Sequence, residues 1–138
     1  MTLESTTGVN RTILLIEDDR DICEIVQRVL SEEGYETLTV PNGAEALRLL
    51  RAGEARPFVI MLDLMLPVMD AWQFRSEQLR DVALAPIPVV IFSANPKVWR
   101  HADMLGAAAV IRKPPNLNEI LDVVGRFAEG GSTPPPAA

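Results

Sequence analysis

Four short apolar runs, each cut off by a polar or ionisable residue, constrain this chain more than any other feature. Ile13-Leu14-Leu15-Ile16 runs into Glu17-Asp18-Asp19, Phe58-Val59-Ile60-Met61-Leu62 into Asp63, Val89-Val90-Ile91-Phe92 into Ser93, and Ala107 to Ile111 towards Lys113-Pro114. Apolar runs of four to eight residues, separated by segments of helical period, read as parallel strands buried on both faces. The carboxyl ends of such strands open onto one crevice. If the four runs are neighbours in one sheet, carboxylates from two of them, a hydroxyl and an ammonium converge there.

The intervening segments supply the helices. Ile22, Ile25, Val26, Val29 and Leu30 recur at helical spacing, and Gly34 ends that helix. Tyr35 to Val40 alternates and is β-rich, which predicts a second strand near a sheet edge. Asn42 with Glu45 resembles a capping box opening a helix with Ala46, Leu47, Leu49 and Leu50 on its apolar face, closed by Gly53. Asp70 is placed to cap a helix through Leu79 that carries Trp72 and Phe74 in its first turns. Pro96 can start a fourth helix running to Leu105-Gly106, and Asn116 with Glu119 repeats the cap signature before a fifth, through about Phe127. Five strands and five helices in strict alternation predict an α/β fold, a parallel sheet covered on both faces.

At 138 residues the chain has room for one ordinary domain. Residues 1–11 read as a loose leader, 12–129 as the domain, and 130–138, rich in glycine and proline, as a tail or linker. The net charge of -6 argues against a surface for nucleic acid. No apolar run is long enough for a bilayer, so no membrane role is expected. A single cysteine, Cys23, rules out an internal disulfide and fits a cytoplasmic location; it reads as a packing residue.

Five motifs in order resemble one family. They are Ile13 to Ile16 with Glu17-Asp18-Asp19, Asn42-Gly43-Ala44-Glu45-Ala46-Leu47, Asp63-Leu64-Met65-Leu66-Pro67-Val68-Met69-Asp70, Phe92-Ser93-Ala94, and Lys113-Pro114. From about Arg11 to Phe127 the chain resembles the receiver domain of bacterial two-component response regulators, whether stand-alone or cut from a longer protein. The resemblance implies a flavodoxin-like (CheY-like), doubly wound sheet in the order 2-1-3-4-5. It implies phosphoryl transfer from a phosphohistidine on a sensor histidine kinase, or a histidine phosphotransfer protein, to Asp63. The aspartyl phosphate would then shift the face built from the fourth helix, fifth strand and fifth helix, and so select a downstream effector. The protein would promote its own phosphorylation and dephosphorylation without turning over small molecules, as a monomer or a phosphorylation-dependent dimer.

The chemistry fits these residue types. Phosphoryl transfer leaves a protein little to do beyond positioning and neutralising charge on the equatorial oxygens. Three clustered carboxylates repel one another unless a cation is present, and a hard divalent ion, Mg2+ or Mn2+, suits an all-oxygen site. The resemblance assigns direct metal contacts to Asp18, Asp63 and the backbone carbonyl of Met65, with Glu17 acting directly or through water. Asp19 is left to the loop or the first helix cap. Lys113 can pair with one phosphoryl oxygen and Ser93 can donate to another, beside the small Ala94. Lys113-Pro114 is a candidate cis peptide.

Some positions depart from the pattern. Val110 stands three residues before Lys113, where the family usually places the Tyr or Phe that swings with Ser93 as the switch, so a variant readout is expected. Ala71 replaces a frequent glycine, and Met65 and Asn95 occupy positions that influence phosphoryl lifetime. Trp72 reads as packing near the site and His101 as surface, while Trp99, with Val98 and Met104, is a candidate apolar contact on the output face. A phosphorylation-independent pseudo-receiver is the alternative function. An aspartyl phosphatase would need an acid where Met65 stands. A flavin binder would not place Glu17-Asp18-Asp19 against a phosphate.

Overall fold

The computed structural model describes residues 10–66 and 68–128; the tail, most of the leader and Pro67 of the third motif lie outside them. Among these residues five strands alternate with five helices: β1 (Thr12–Ile16), α1 (Arg20–Glu32), β2 (Glu36–Val40), α2 (Gly43–Arg51), β3 (Val59–Asp63), α3 (Ala71–Leu79), β4 (Val89–Ser93), α4 (Val98–Leu105), β5 (Ala109–Arg112) and α5 (Leu117–Ala128). The strands form one parallel sheet in the order β2-β1-β3-β4-β5, as the resemblance implies. β2 is an edge strand, as its alternating sequence predicts.

Because side chains alternate across a strand, the sheet divides the core into two clusters. Ile13, Leu15, Val59, Met61, Val90, Phe92 and Ile111 face one side, with Val26 and Leu30 of α1 and Ile120, Val124 and Phe127 of α5. Leu14, Ile16, Ile60, Leu62, Ile91 and Val110 face the other, with Leu47, Phe74 and Ala102 from α2, α3 and α4. The three central strands are buried along nearly their whole length, which explains why they lack polar alternation.

Local signals set most helix starts. Asp19 caps α1 by accepting from the Asp21 and Ile22 amides, and Asn116 accepts from the Asn118 and Glu119 amides at α5. Asp70 forms a complete capping box with Gln73. The expected box at α2 is only half made. Asn42 accepts from the Glu45 amide at 2.8 Å, but the Glu45 carboxylate turns to Arg48 at 2.6 Å, because an exposed ion pair one helical turn away competes for it. The fourth helix starts at Val98 rather than at Pro96, after a turn in which the Asn95 carboxamide accepts from the Lys97 amide at 2.8 Å. Val98 is fully buried and cannot share an exposed patch with Trp99 and Met104. The leader's last residues are tied down: Arg11 donates to the carbonyls of Gly34 and Glu33 and lies over the Tyr35 ring.

Three contacts bind α3 to α4. Trp72, expected near the site, is more than a third exposed and meets the His101 ring edge-on at 5.1 Å, so its contact is with α4. His101 is consequently half-buried rather than a plain surface residue. Arg75 donates to the carbonyls of Leu105 (2.9 Å) and Gly106 (3.1 Å), taking up orphan acceptors at the C-terminus of α4. Val68 has φ +70° and is 80% exposed. A β-branched residue there is strained without compensating packing, so Val68→Gly is expected to raise unfolding free energy by about 1 kcal/mol in denaturant titrations. An unchanged or lower value would contradict the strain.

Candidate functional site

Register places the polar strand ends side by side. Ile16 is level with Leu62, so Glu17, whose amide extends the β1–β2 ladder to the Val40 carbonyl, stands beside Asp63. Asp63 is level with Phe92 and Ser93 with Arg112. The Lys113 amide continues the last ladder by donating to the Ser93 carbonyl at 3.0 Å. Alternation then sorts the side chains. Glu17, Asp63 and Lys113 follow the parity of the α1/α5 side, whereas Ser93 follows that of the α4 side.

The contacts agree with that sorting. Lys113 Nζ lies 2.6 Å from Glu17 Oε1 and donates to Asp63 Oδ2 at 3.1 Å, with the buried Phe92 ring centroid 5.1 Å away. The other carboxylate oxygens are held by backbone: Asp63 Oδ1 accepts from the Met65 amide, and Glu17 Oε2 from the Asp19 amide. Glu17 and Asp63 are 2% and 5% exposed, which marks them as placed by the fold rather than as solvated acids. Asp18 is exposed at the rim. Glu17, Asp18 and Asp63 each offer a carboxylate oxygen within 4.8 Å of the others.

Electrostatics shows how strained the cluster is. Burial, with the neighbouring Asp63 charge adding to it, pushes the Glu17 carboxyl above its ordinary value, against the pull of Lys113 and the Asp19 amide. Burial alone would lower Lys113, but its contacts with Glu17 and Asp63 outweigh this and raise it, so the ammonium is retained at neutral pH. Cys23 packs beside the cluster with its thiol directed at the Glu17 carbonyl (3.5 Å). Burial and the Glu17 and Asp19 charges push that thiol up to about 11, which makes it a poor nucleophile at neutral pH.

A divalent cation fits this donor set. All three groups are hard oxygen donors. Among the described residues the one partner of the buried Glu17 Oε1 is the Lys113 ammonium at 2.6 Å, a contact that a bound cation would share. The cleft beside the cluster, about 480 Å3, is lined by Asp63, Met65, Ser93, Ala94, Asn95 and Lys113, among others. The Met65 side chain projects into solvent. Ser93 is 1% exposed, and its Oγ accepts from the Asn95 amide at 3.1 Å, keeping its own proton to donate.

The structure thus brings together Glu17, Asp18, Asp63, Ser93 and Lys113, with Met65 beside them and Lys113-Pro114 cis. Val110 is buried on the α4 side of β5, one ladder step from Ile111. Two roles escaped the sequence reading, the link made by Asn95, which was singled out for phosphoryl lifetime alone, and the grip of Arg75. Asn95 links the Ser93 hydroxyl to the start of α4 through paired turns, a link that the Ser-x-Asn-x-Lys spacing hints at. Arg75 grips the far end of α4 across 30 residues, for which no local signal exists.

Comparison with known proteins agrees with this geometry. A model of the response regulator receiver domain matches residues 13–125. Sporulation initiation phosphotransferase F of Bacillus subtilis (strain 168) is 29% identical over 121 residues, covering 86% of this chain and 94% of that protein. Response regulator MprA of Mycobacterium sp. (strain KMS) is 33% identical over 79% of this chain, which spans about half (46%) of that relative's length. Among solved structures, the phosphorylated cyanobacterial phytochrome response regulator RcpA superposes with a TM-score of 0.74 at 30% identity, over 92% of this chain and 99% of that one. The receiver domain of the sensor histidine kinase PA1611 from Pseudomonas aeruginosa PAO1, described with a magnesium ion coordinated in its active-site cleft, superposes with a TM-score of 0.76 at 25% identity, over 86% and 98%. With the sheet order, the acidic cluster and a match across 13–125 in agreement, the chain belongs to the response regulator receiver domain family.

Proposed function

We propose that this domain accepts a phosphoryl group on Asp63 from a phosphohistidine of a histidine kinase or histidine phosphotransfer protein. The observation that carries the reading is Asp63 itself: a 5% exposed carboxylate at a strand end, bordering a cleft with Lys113 and Ser93. Structural aspartates seldom have that combination of burial, cationic partner and access.

Mg2+ or Mn2+, when bound through Glu17, Asp18 and Asp63, would neutralise charge on the equatorial oxygens. The chain's own groups do the rest. The Met65 amide holds Asp63 Oδ1 and so aims the carboxylate. Attack by a carboxylate oxygen on phosphorus forms the new P–O bond as the P–N bond to the donor imidazole breaks, leaving the electron pair on nitrogen. Lys113 can follow from Asp63 to a phosphoryl oxygen, and Ser93 can turn its proton to another. The Met65 carbonyl is proposed as a further metal ligand, and Ser93 with Val110 as the switch. Val110 lacks a long two-state side chain, so the readout would run through Ser93, Asn95 and α4.

A cytoplasmic setting and an effector protein acting as output partner belong to the same reading. Among the described residues no helix is long and apolar enough to cross a membrane. The test is incubation with Mg2+ and a small phosphodonor followed by intact mass. Wild type should gain one acid-labile phosphoryl group and Asp63→Asn none. A wild-type chain that stays at its unmodified mass would favour the pseudo-receiver reading.

A further inference from the structure

A second cleft, of about 530 Å3, lies at the other end of the sheet from Asp63, where the chain enters β1, β3 and β4. Leu50 of α2, Ala55 ahead of β3 and Leu84 ahead of β4 line it with buried apolar side chains. Among the described residues that line it, the charged ones are Arg51 and Arg56, in a chain whose net charge is -6.

The two arginines are not equivalent. Arg51 Nη2 is taken by Glu77 at 2.8 Å. Arg56 makes no ion pair among the described residues, and the acid closest to it in sequence, Glu54, turns to Arg48 instead. The Arg56 Nε has one long contact, 3.4 Å to the Gly53 carbonyl, and among the described residues neither Nη group has an acceptor. A guanidinium with both Nη groups free presents the edge that receives a carboxylate through two parallel hydrogen bonds.

The walls of the cleft are fixed by bonds of their own. Asn10 Nδ2 donates to the Arg56 carbonyl at 2.7 Å while its Oδ1 accepts from the Thr12 amide, which ties the Arg56 backbone to the start of β1. On the other side Gln78 Nε2 holds the Leu84 and Ile87 carbonyls. The carboxyl end of α2 does not meet an anion with bare carbonyls, because those of Arg48, Leu49 and Leu50 accept from the amides of residues 52–55. Walls set before binding lose little freedom to a ligand, and the volume falls in the range of small-molecule pockets, about 300–1,000 Å3.

We infer that this cleft is a second ligand site, one that takes a small organic acid: a carboxylate on a compact apolar body. The carboxylate pairs with the Arg56 guanidinium, and the body covers Leu50, Ala55 and Leu84. The site rests on the cleft and on Arg56, not on phosphorylation of Asp63.

Titration of the isotopically labelled protein with 3-phenylpropionate, followed by NMR, tests the site. Saturable shifts of the Gly53, Ala55, Arg56 and Leu84 amides are the expected result. Arg56→Gln, an exposed substitution whose folding the same spectra report, should raise the Kd about tenfold or more, the loss for a hydrogen bond to a charged group. The uncharged 3-phenylpropionamide, of the same shape, should bind the wild-type chain more weakly by a similar factor. Absence of saturable shifts at these amides at millimolar probe, or shifts confined to the residues around Asp63, would overturn the inference. So would an amide that binds as tightly as the acid, or an unchanged Kd in a folded Arg56→Gln chain.

Discussion

Lys113→Ala is expected to lower the stability of the metal-free protein by about 3–5 kcal/mol, the usual cost of removing one partner from a buried ion pair. The side chains of Lys113, Glu17 and Asp63 are 13%, 1% and 8% exposed, so solvent screens little of this interaction. Without the ammonium, two carboxylates face each other with no counter-charge. Because contact with Glu17 and Asp63 raises the Lys113 pKa, the bridge contributes fully at neutral pH and is lost only as pH rises above the ordinary lysine range. Added Mg2+ should restore part of the loss, by about 2.7 kcal/mol at a hundredfold excess over its Kd. Denaturant titrations with and without Mg2+ measure both effects. A variant as stable as wild type without metal would show that the bridge contributes nothing. Under the proposed function, adduct formation by the variant should also slow by about 10²–10³, the range for losing one group that stabilises developing charge.

The second large effect is expected far from the site. Gln78 is fully buried between α3 and the segment leading to β4, its Nε2 donating to the carbonyls of Leu84 and Ile87, each at 3.0 Å. Its Oε1 accepts from Arg75 Nη1 at 2.8 Å. Gln78→Leu keeps most of the volume and removes all three bonds. It leaves the part-buried Ile87 carbonyl without a donor and the Leu84 carbonyl with the Ile87 amide alone, a cost of about 1–3 kcal/mol. Chemical denaturation should show that loss, and hydrogen exchange should show weakened protection at the Ile87 amide, which donates to Leu84. A loss below about 1 kcal/mol would mean that water or a relaxed turn replaces the glutamine.

What the sequence discloses follows the range of each interaction. Strands buried on both faces, and the caps at Asp19, Asp70 and Asn116, depend on residues within four positions and are readable as patterns. The site was legible because strand ends in a parallel sheet converge, so Glu17, Asp63, Ser93 and Lys113 need no long-range knowledge beyond strand order. Glu45 deceived because Arg48 competes for the same carboxylate. Val98 deceived because hydrophobic neighbours in sequence point to different sides of a helix: Trp99 and Met104 outward, Val98 into the core. Arg75 and Gln78 were invisible, since a polar residue on a helix declares nothing about carbonyls it meets across a turn or a neighbouring helix.

The grip of Arg75 gives α4 unequal ends. Its C-terminus is pinned through Leu105 and Gly106, while its N-terminal residue Lys97 makes no side-chain cap and hangs from Asn95, itself bonded to Ser93. Eight residues make an arm of about 12 Å. Under the proposed function, a displacement of Ser93 would enter α4 through Asn95, at the end that has no side-chain cap, and would move Trp99 more than Met104.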